Sequence, residues 1–156
     1  MNEEQKKVEC GSIGEDLVAD LFRRQGREVS LSENKYDSVK DMLVDGQTCE
    51  VKTQVPYFYK NMFTIKVDQY FKCMNADKLI WVQMPTKHND YRIDIYESPP
   101  RGMRLFRKYH TRGRDMYGMN FCETTLIDSI EGSIEGIRLM KLTSSDMTVV
   151  NKLNVN

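Results

Sequence analysis

The stretch Asp41-Met42-Leu43-Val44-Asp45-Gly46-Gln47-Thr48-Cys49-Glu50-Val51-Lys52 decides the fold. An Asp-Gly pair between apolar-rich runs is the strongest short-range hairpin signal, because a type I′ turn needs positive φ at both central residues and this pair adopts it at little cost. Counting outward from a two-residue turn places Val44 opposite Gln47, Leu43 opposite Thr48, Met42 opposite Cys49 and Asp41 opposite Glu50. Opposed residues share a sheet face, and the strand period of two adds Lys52 to the face of Glu50. The other face carries Met42, Val44, Cys49 and Val51 and is predicted to be core. On the polar face two carboxylates confront each other, which destabilises a sheet unless a cation compensates. Lys52 can supply that cation, and so can a hard divalent metal held by one or two carboxylates plus substrate phosphate. An ordinary exposed, salt-bridged hairpin is the plain alternative.

Around this hairpin, 156 residues suffice for one domain with a useful core. Hydrophobic residues make up 40% and charged residues 29%, the balance of a soluble globular protein. No apolar run reaches the roughly 18 residues that span a bilayer, and the polar start Met1-Asn2-Glu3-Glu4-Gln5-Lys6-Lys7 lacks the apolar segment of a signal peptide. The expectation is a cytoplasmic protein with no membrane partner. Cys10, Cys49, Cys73 and Cys122 form no CxxC pair and lie far from His88 and His110, which argues against zinc and for small buried side chains. Lysine plus arginine equals aspartate plus glutamate at 23 each, so no global field steers the chain toward nucleic acid.

Taken in order, Ser12-Ile13-Gly14-Glu15 followed by Leu17, Val18, Leu21 and Phe22 predicts a capped amphipathic helix ending at Gly26. Glu15 can close a capping box with Ser12, or, bordering the buried stripe, lean over the sheet as a ligand. Residues 27–31 read as a short strand and 32–40 as a polar loop containing Tyr36 and Asp37. Thr53-Gln54-Val55 prolongs the second hairpin strand until Pro56, leaving Gln54 on the face of Glu50 and Lys52, as a functional group or as a plain polar strand end. Strands follow at 63–67, 78–83 and 91–96, with a short helix starting at Asp68, and Trp81 is predicted to be core. Residues 121–127 and 134–142 read as further strands, and Ser144 or Ser145 as the cap of a last short helix.

One segment is locally basic. Arg101, Arg104, Arg107, Lys108, Arg112 and Arg114 occur within 101–114, with His110 and no acid, and Phe106 and Tyr109 are interleaved. Such a run suits a phosphate-contacting, DNA-binding surface with aromatic support, or else a solvated face.

A helix bearing Glu15, then Asp41 at the head of a hairpin, then Glu50-Val51-Lys52 on its second strand resembles the PD-(D/E)xK nuclease superfamily, the restriction-endonuclease-like fold. Asp41, Glu50 and Lys52 match the D…ExK motif, Glu15 the extra acid on the first helix of many members, and Gln54 a glutamine that some carry after the lysine. Lys40 stands where the nominal motif has proline. Asp37 is the alternative ligand if the hairpin is shorter, although the cross-strand count favours Asp41. The resemblance covers roughly residues 12–83. It implies an α/β (mixed α+β) fold with an αβββαβ core, a mixed central sheet flanked by helices, and extra C-terminal strands. The expected organisation is a single nuclease domain, its core at about 12–97, with 98–156 a basic extension for DNA binding or oligomerisation.

The implied activity is a Mg²⁺-dependent DNA endonuclease, with Mn²⁺ able to substitute. Phosphodiester hydrolysis needs a metal to polarise phosphoryl oxygens and activate water. Asp41 and Glu50 are oxygen ligands suited to Mg²⁺, Glu15 a third and the Val51 carbonyl a fourth. Lys52 would stabilise developing charge at the scissile phosphate. Family types that fit a small stand-alone nuclease are homing endonucleases, restriction enzymes and Holliday junction resolvases. The extension favours sequence-specific duplex cleavage over junction resolution, and cutting two strands favours a homo-oligomer, most simply a two-fold dimer. A reading from another class is a non-catalytic nucleic-acid-binding module on a nuclease-like scaffold.

Overall fold

The computed structural model describes residues 1–31, 42–108 and 113–143. The first element is a long helix, α1 (Glu3–Arg24). It starts well before Ser12, because Asn2 accepts the Gln5 amide and the Gln5 side chain returns to the Asn2 amide, a complete capping box ten residues upstream of the expected one. Ser12 and Glu15 therefore lie in the helix interior, and the capping role expected of Glu15 does not arise. The C-terminus agrees with expectation. Gly26 takes φ 79°, its amide bonds to Arg23 and the Arg27 amide to Phe22, the Schellman arrangement.

Three antiparallel strands follow, β1 (Val29–Leu31), β2 (Met42–Val44) and β3 (Gln47–Gln54). Asp45 and Gly46 have φ of 51° and 80°, and the register pairs Met42 with Cys49, Leu43 with Thr48 and Val44 with Gln47, as counted from the sequence. The fourth expected pair involves Asp41, which lies outside the described residues. After β3 the chain makes β4 (Met62–Lys66), a 3₁₀ turn at Val67–Gln69, a short helix α2 (Tyr70–Met74) and then β5 (Lys78–Gln83), which lies beside β3 and parallel to it. β6 (Ile93–Ser98) continues the sheet, two residues later than predicted, because a 3₁₀ turn at Lys87–Asn89, capped by Thr86, is followed by Asp90 and Tyr91 at positive φ.

The remaining elements are β7 (Arg104–Arg107), β8 (Asp115–Asn120), β9 (Thr125–Ile130) and α3 (Ile134–Thr143). Two expectations are corrected here. The strand predicted at 121–127 is a 3₁₀ turn at Phe121–Glu123 followed by β9, the turn held by Thr124 Oγ1 donating to the Phe121 carbonyl. The strand predicted at 134–142 is the helix α3. Ser133 caps it by accepting the Gly136 amide, and Gly136, Leu139 and Met140 form its buried stripe, so helical spacing outweighs the strand preference of Ile134 and Ile137. The helix expected after Ser144 lies outside the described residues.

The main sheet is mixed and six-stranded, in the order β1-β2-β3-β5-β6-β9, and a second sheet has the order β4-β8-β7. The 98–156 extension is thus interleaved with the earlier chain: β8 pairs with β4 on one side and β7 on the other, β9 extends the main sheet beyond β6, and α3 packs against α1. One face of the main sheet buries Met42, Val44, Cys49, Val51, Ile80 and Val82 under α1 and α3. The other face buries Leu79 and Trp81 against Phe63, Ile65, Cys73 and Met119 of the second layer. Trp81 stacks on Phe63 at 5.1 Å and donates its indole N–H to Ser98 at 2.9 Å, a fully buried core residue as expected. Cys10, Cys49 and Cys73 are buried; Cys122 is exposed, against expectation. Burial, aided by Glu9, pushes the Cys10 thiol up, which suits an inert packing role. Among the described residues no helix is long and apolar enough to cross a membrane.

Candidate functional site: a buried carboxylate between two lysines

Alternation along β3 sends Cys49, Val51 and Thr53 toward α1 and Glu50, Lys52 and Gln54 toward the second layer. The α1 face is in very close contact. A Cβ on Gly14 would overlap the Thr53 hydroxyl, so only glycine lets the helix backbone approach the strand there. Glu15 follows directly on α1 and is half-buried.

On the opposite face Glu50 is 0% exposed. Its neighbour on β5 is Leu79 and that of Lys52 is Trp81, both fully buried apolar side chains. An ionised carboxylate in such surroundings loses several kcal/mol of hydration and must recover it from nearby cations. Two are present. Lys52 Nζ lies 3.0 Å and Lys72 Nζ 3.4 Å from Glu50 Oε1. Lys52 is held from its far side as well, donating to Gln69 Oε1 at 3.0 Å. Lys72 and Gln69 come from α2 and the 3₁₀ turn before it. The connection between parallel neighbours β3 and β5 has to cross a face of the sheet, and this one crosses over the charged residues.

Gln54 has a different occupation. Its side-chain amide donates to the Thr64 carbonyl at 2.6 Å and accepts the Thr64 amide at 2.7 Å, satisfying both backbone groups at the edge of β4 and joining the two sheets. The site therefore brings together Glu50 and Lys52 from the predicted set. It adds Gln69 and Lys72, which sequence reading missed, and Gln54 serves as its wall. Asp41, and Asp37 as its alternative, lie outside the described residues. Among those described, no three His, Cys, Asp or Glu side chains converge as a metal site. Glu50 is an oxygen donor of the type that hard cations take, its Oε1 here facing the ammonium groups of Lys52 and Lys72.

The basic segment is split by the fold. Arg101, Arg104, Arg107 and Arg114 are exposed, and Arg112 lies outside the described residues along with Tyr109 and His110. The acids absent from its sequence are brought in by pairing: Arg104 meets Glu123 at 3.4 Å and Arg107 meets Asp115 at 3.8 Å. Lys108 sits with its Nζ 5.1 Å above the Tyr57 ring, and burial lowers its pKa from the ordinary lysine value. Comparison of this chain with family models, with curated proteins and with solved structures finds no match.

Proposed function

We propose that the protein is a metal-dependent DNA endonuclease whose active site is built on β3, with Asp41 and Glu50 as metal ligands and Lys52 at the scissile phosphate. The observation that carries this reading is Glu50, a fully buried carboxylate with two lysine ammonium groups within 3.4 Å of one oxygen. The order of one helix, three antiparallel strands, a helical crossover and a strand parallel to β3 also supports a PD-(D/E)xK core. Mg²⁺ held by these carboxylates would polarise the phosphoryl oxygens and lower the pKa of the attacking water.

The chain's own residues do the rest. Gln69 fixes the Lys52 ammonium, so that it meets developing charge on the phosphate without first having to be ordered. Lys72 supplies a second positive charge at Glu50, 3.4 Å from the same oxygen that Lys52 meets. Neither lysine is assigned as a general base. A two-fold dimer cutting duplex DNA, at a recognition sequence or at a junction, is the assembly this site suits best.

The test is incubation of supercoiled plasmid, a four-way junction and blunt duplex with Mg²⁺, for the unaltered chain and for Asp41→Asn, Glu50→Gln and Lys52→Ala. Each variant should lose at least about a hundredfold in cleavage rate, the scale of losing one transition-state contact, while keeping the fold by circular dichroism. Undiminished cleavage in all three, or no cleavage of any substrate by the unaltered chain, would overturn the proposal. The second outcome would favour a binding module, a reading consistent with the chain's zero net charge.

A further inference from the structure

Immediately after β3 the chain turns sharply. Tyr57 and Met62 form a bridge, the Lys60 amide bonds back to the Tyr57 carbonyl, and Asn61 takes φ 50°. The tip of this turn presents Tyr59, which is 79% exposed. Behind it Tyr57 is buried and stacked on Phe106 of β7, their rings 6.0 Å apart and inclined by 11°. The Tyr59 ring lies 6.0 Å from that of Tyr57. Two ammonium groups rest on this pair, Lys60 Nζ at 5.2 Å from the Phe106 ring and Lys108 Nζ at 5.1 Å from the Tyr57 ring. The buried Tyr57 ring and the half-buried Phe106 ring thus orient two cations beside one standing aromatic side chain.

We infer that this turn is a platform for unpaired DNA, Tyr59 stacking on an exposed base while Lys60 and Lys108 receive the adjoining phosphates. The combination selects the partner. An acidic peptide would answer the lysines but leave the tyrosine unused, and in the interior of a duplex every base face is already stacked. A single strand offers phosphates and free π-faces together. Gly118 supports the arrangement from beneath, since a Cβ there would meet both Met62 and Phe106 at 2.6 Å. Tyr59 follows Lys52 by seven residues, so the platform lies at most about 25 Å along the chain from the site on β3. The inference rests on the nuclease reading in that it narrows that site's substrate: duplex DNA carrying unpaired nucleotides next to the bond to be cut.

The experiment measures anisotropy of a labelled oligothymidine and of a blunt duplex of equal length, in EDTA, for the unaltered chain, Tyr59→Ala and Tyr59→Phe. It then measures Mg²⁺-dependent cleavage of a flapped duplex by the same proteins. Tyr59→Ala should weaken single-strand binding about tenfold, the scale of one lost base–aromatic stack, with duplex binding unchanged and Tyr59→Phe like the unaltered chain. The exposure of Tyr59 makes folding indifferent to both changes. Equal single-strand affinity in all three proteins, or an equal loss on duplex and single strand in Tyr59→Ala, would overturn the inference. Selective single-strand binding without any cleavage would uphold the platform and sink the nuclease reading, whereas flap cleavage with no dependence on Tyr59 would do the reverse.

Discussion

The two faces of β3 are both buried, yet they are buried in different ways. Toward α1, Cys49 and Val51 need only volume, and the glycine at position 14 adjusts the fit. Toward the second layer, Glu50, Lys52 and Gln54 each need a particular partner, and each has one: Lys72, Gln69 and the Thr64 backbone. The apolar face could be rebuilt from several side chains of similar size. The polar face could not. A buried ion pair is commonly matched or bettered in stability by apolar residues of the same volume. A leucine at position 50, beside Leu79, would satisfy packing at lower cost, so stability does not account for the charge. What the charged face offers over the apolar one is a dry, cation-lined carboxylate, the feature on which the proposed nuclease reading rests.

The sharpest way to break this contrast is to remove the cations. Replacing Lys52 and Lys72 together by methionine keeps the aliphatic stems and leaves Glu50 buried without either ammonium. The loss should be about 3–5 kcal/mol, the cost of stranding a buried charge. In a chain of this size that is on the order of 10 °C in melting temperature. Millimolar Mg²⁺ should restore more of the melting temperature in this double variant than it adds to the unaltered chain, because a ligand of the native state stabilises it by mass action. Differential scanning fluorimetry with and without Mg²⁺ reads both effects. A double variant as stable as the parent would mean that Glu50 is not held as a charge at all.

A smaller effect separates packing from pairing on the same face. Gln54→Ala removes no ion pair but leaves the amide and carbonyl of Thr64, itself only 8% exposed, without their side-chain partner. The expected loss is about 1–3 kcal/mol, measured as a shift of the urea midpoint. Were Gln54 instead a group acting on substrate, stability would hold and cleavage alone would fall.

The contrast between the faces also explains what could be read in advance. Hairpin register is local: Asp45-Gly46 sets it, and three of the four counted pairs stand as described. The apolar face followed from alternation alone. That Glu50 is buried could not follow, because a charged residue on a strand is ordinarily read as facing water and its cover comes from elsewhere. Lys72 and Gln69 belong to a helix of five residues and the turn before it, too short to carry a periodic signal. One clue was available, since a crossover between adjacent parallel strands must pass over a sheet face, and Lys72 lies within it. The second sheet was equally hidden. β4 was legible as a strand, but its partner β8 lies some fifty residues on, and nothing local chooses that partner over the main sheet. At 134–143 two isoleucines pointed to a strand, while the capping serine at 133 and the stripe at 136, 139 and 140 pointed to the helix that packs on α1.

Both faces of β3 share one turn, and the smallest predicted effect lies there. Asp45 accepts the Arg27 guanidinium at 2.8 Å and the Glu28 amide at 2.9 Å, tying the hairpin to the segment that follows α1. The Arg27 hydrogen bond, joined by the Glu28 amide, holds the Asp45 carboxyl below the usual carboxylate range. A carboxyl depressed in the native state adds stability that is complete above its unfolded value, about pH 4, and that disappears as the pH falls through the lower native one. Asp45→Asn keeps a residue tolerant of the left-handed conformation but removes the charge. Unaltered chain and variant should therefore differ modestly in melting temperature at pH 6, with the unaltered chain higher, and converge as the pH is lowered toward 2. A gap that stays constant across that range would show that the turn is held by its backbone geometry alone, leaving the two faces of β3 joined by sterics rather than by charge.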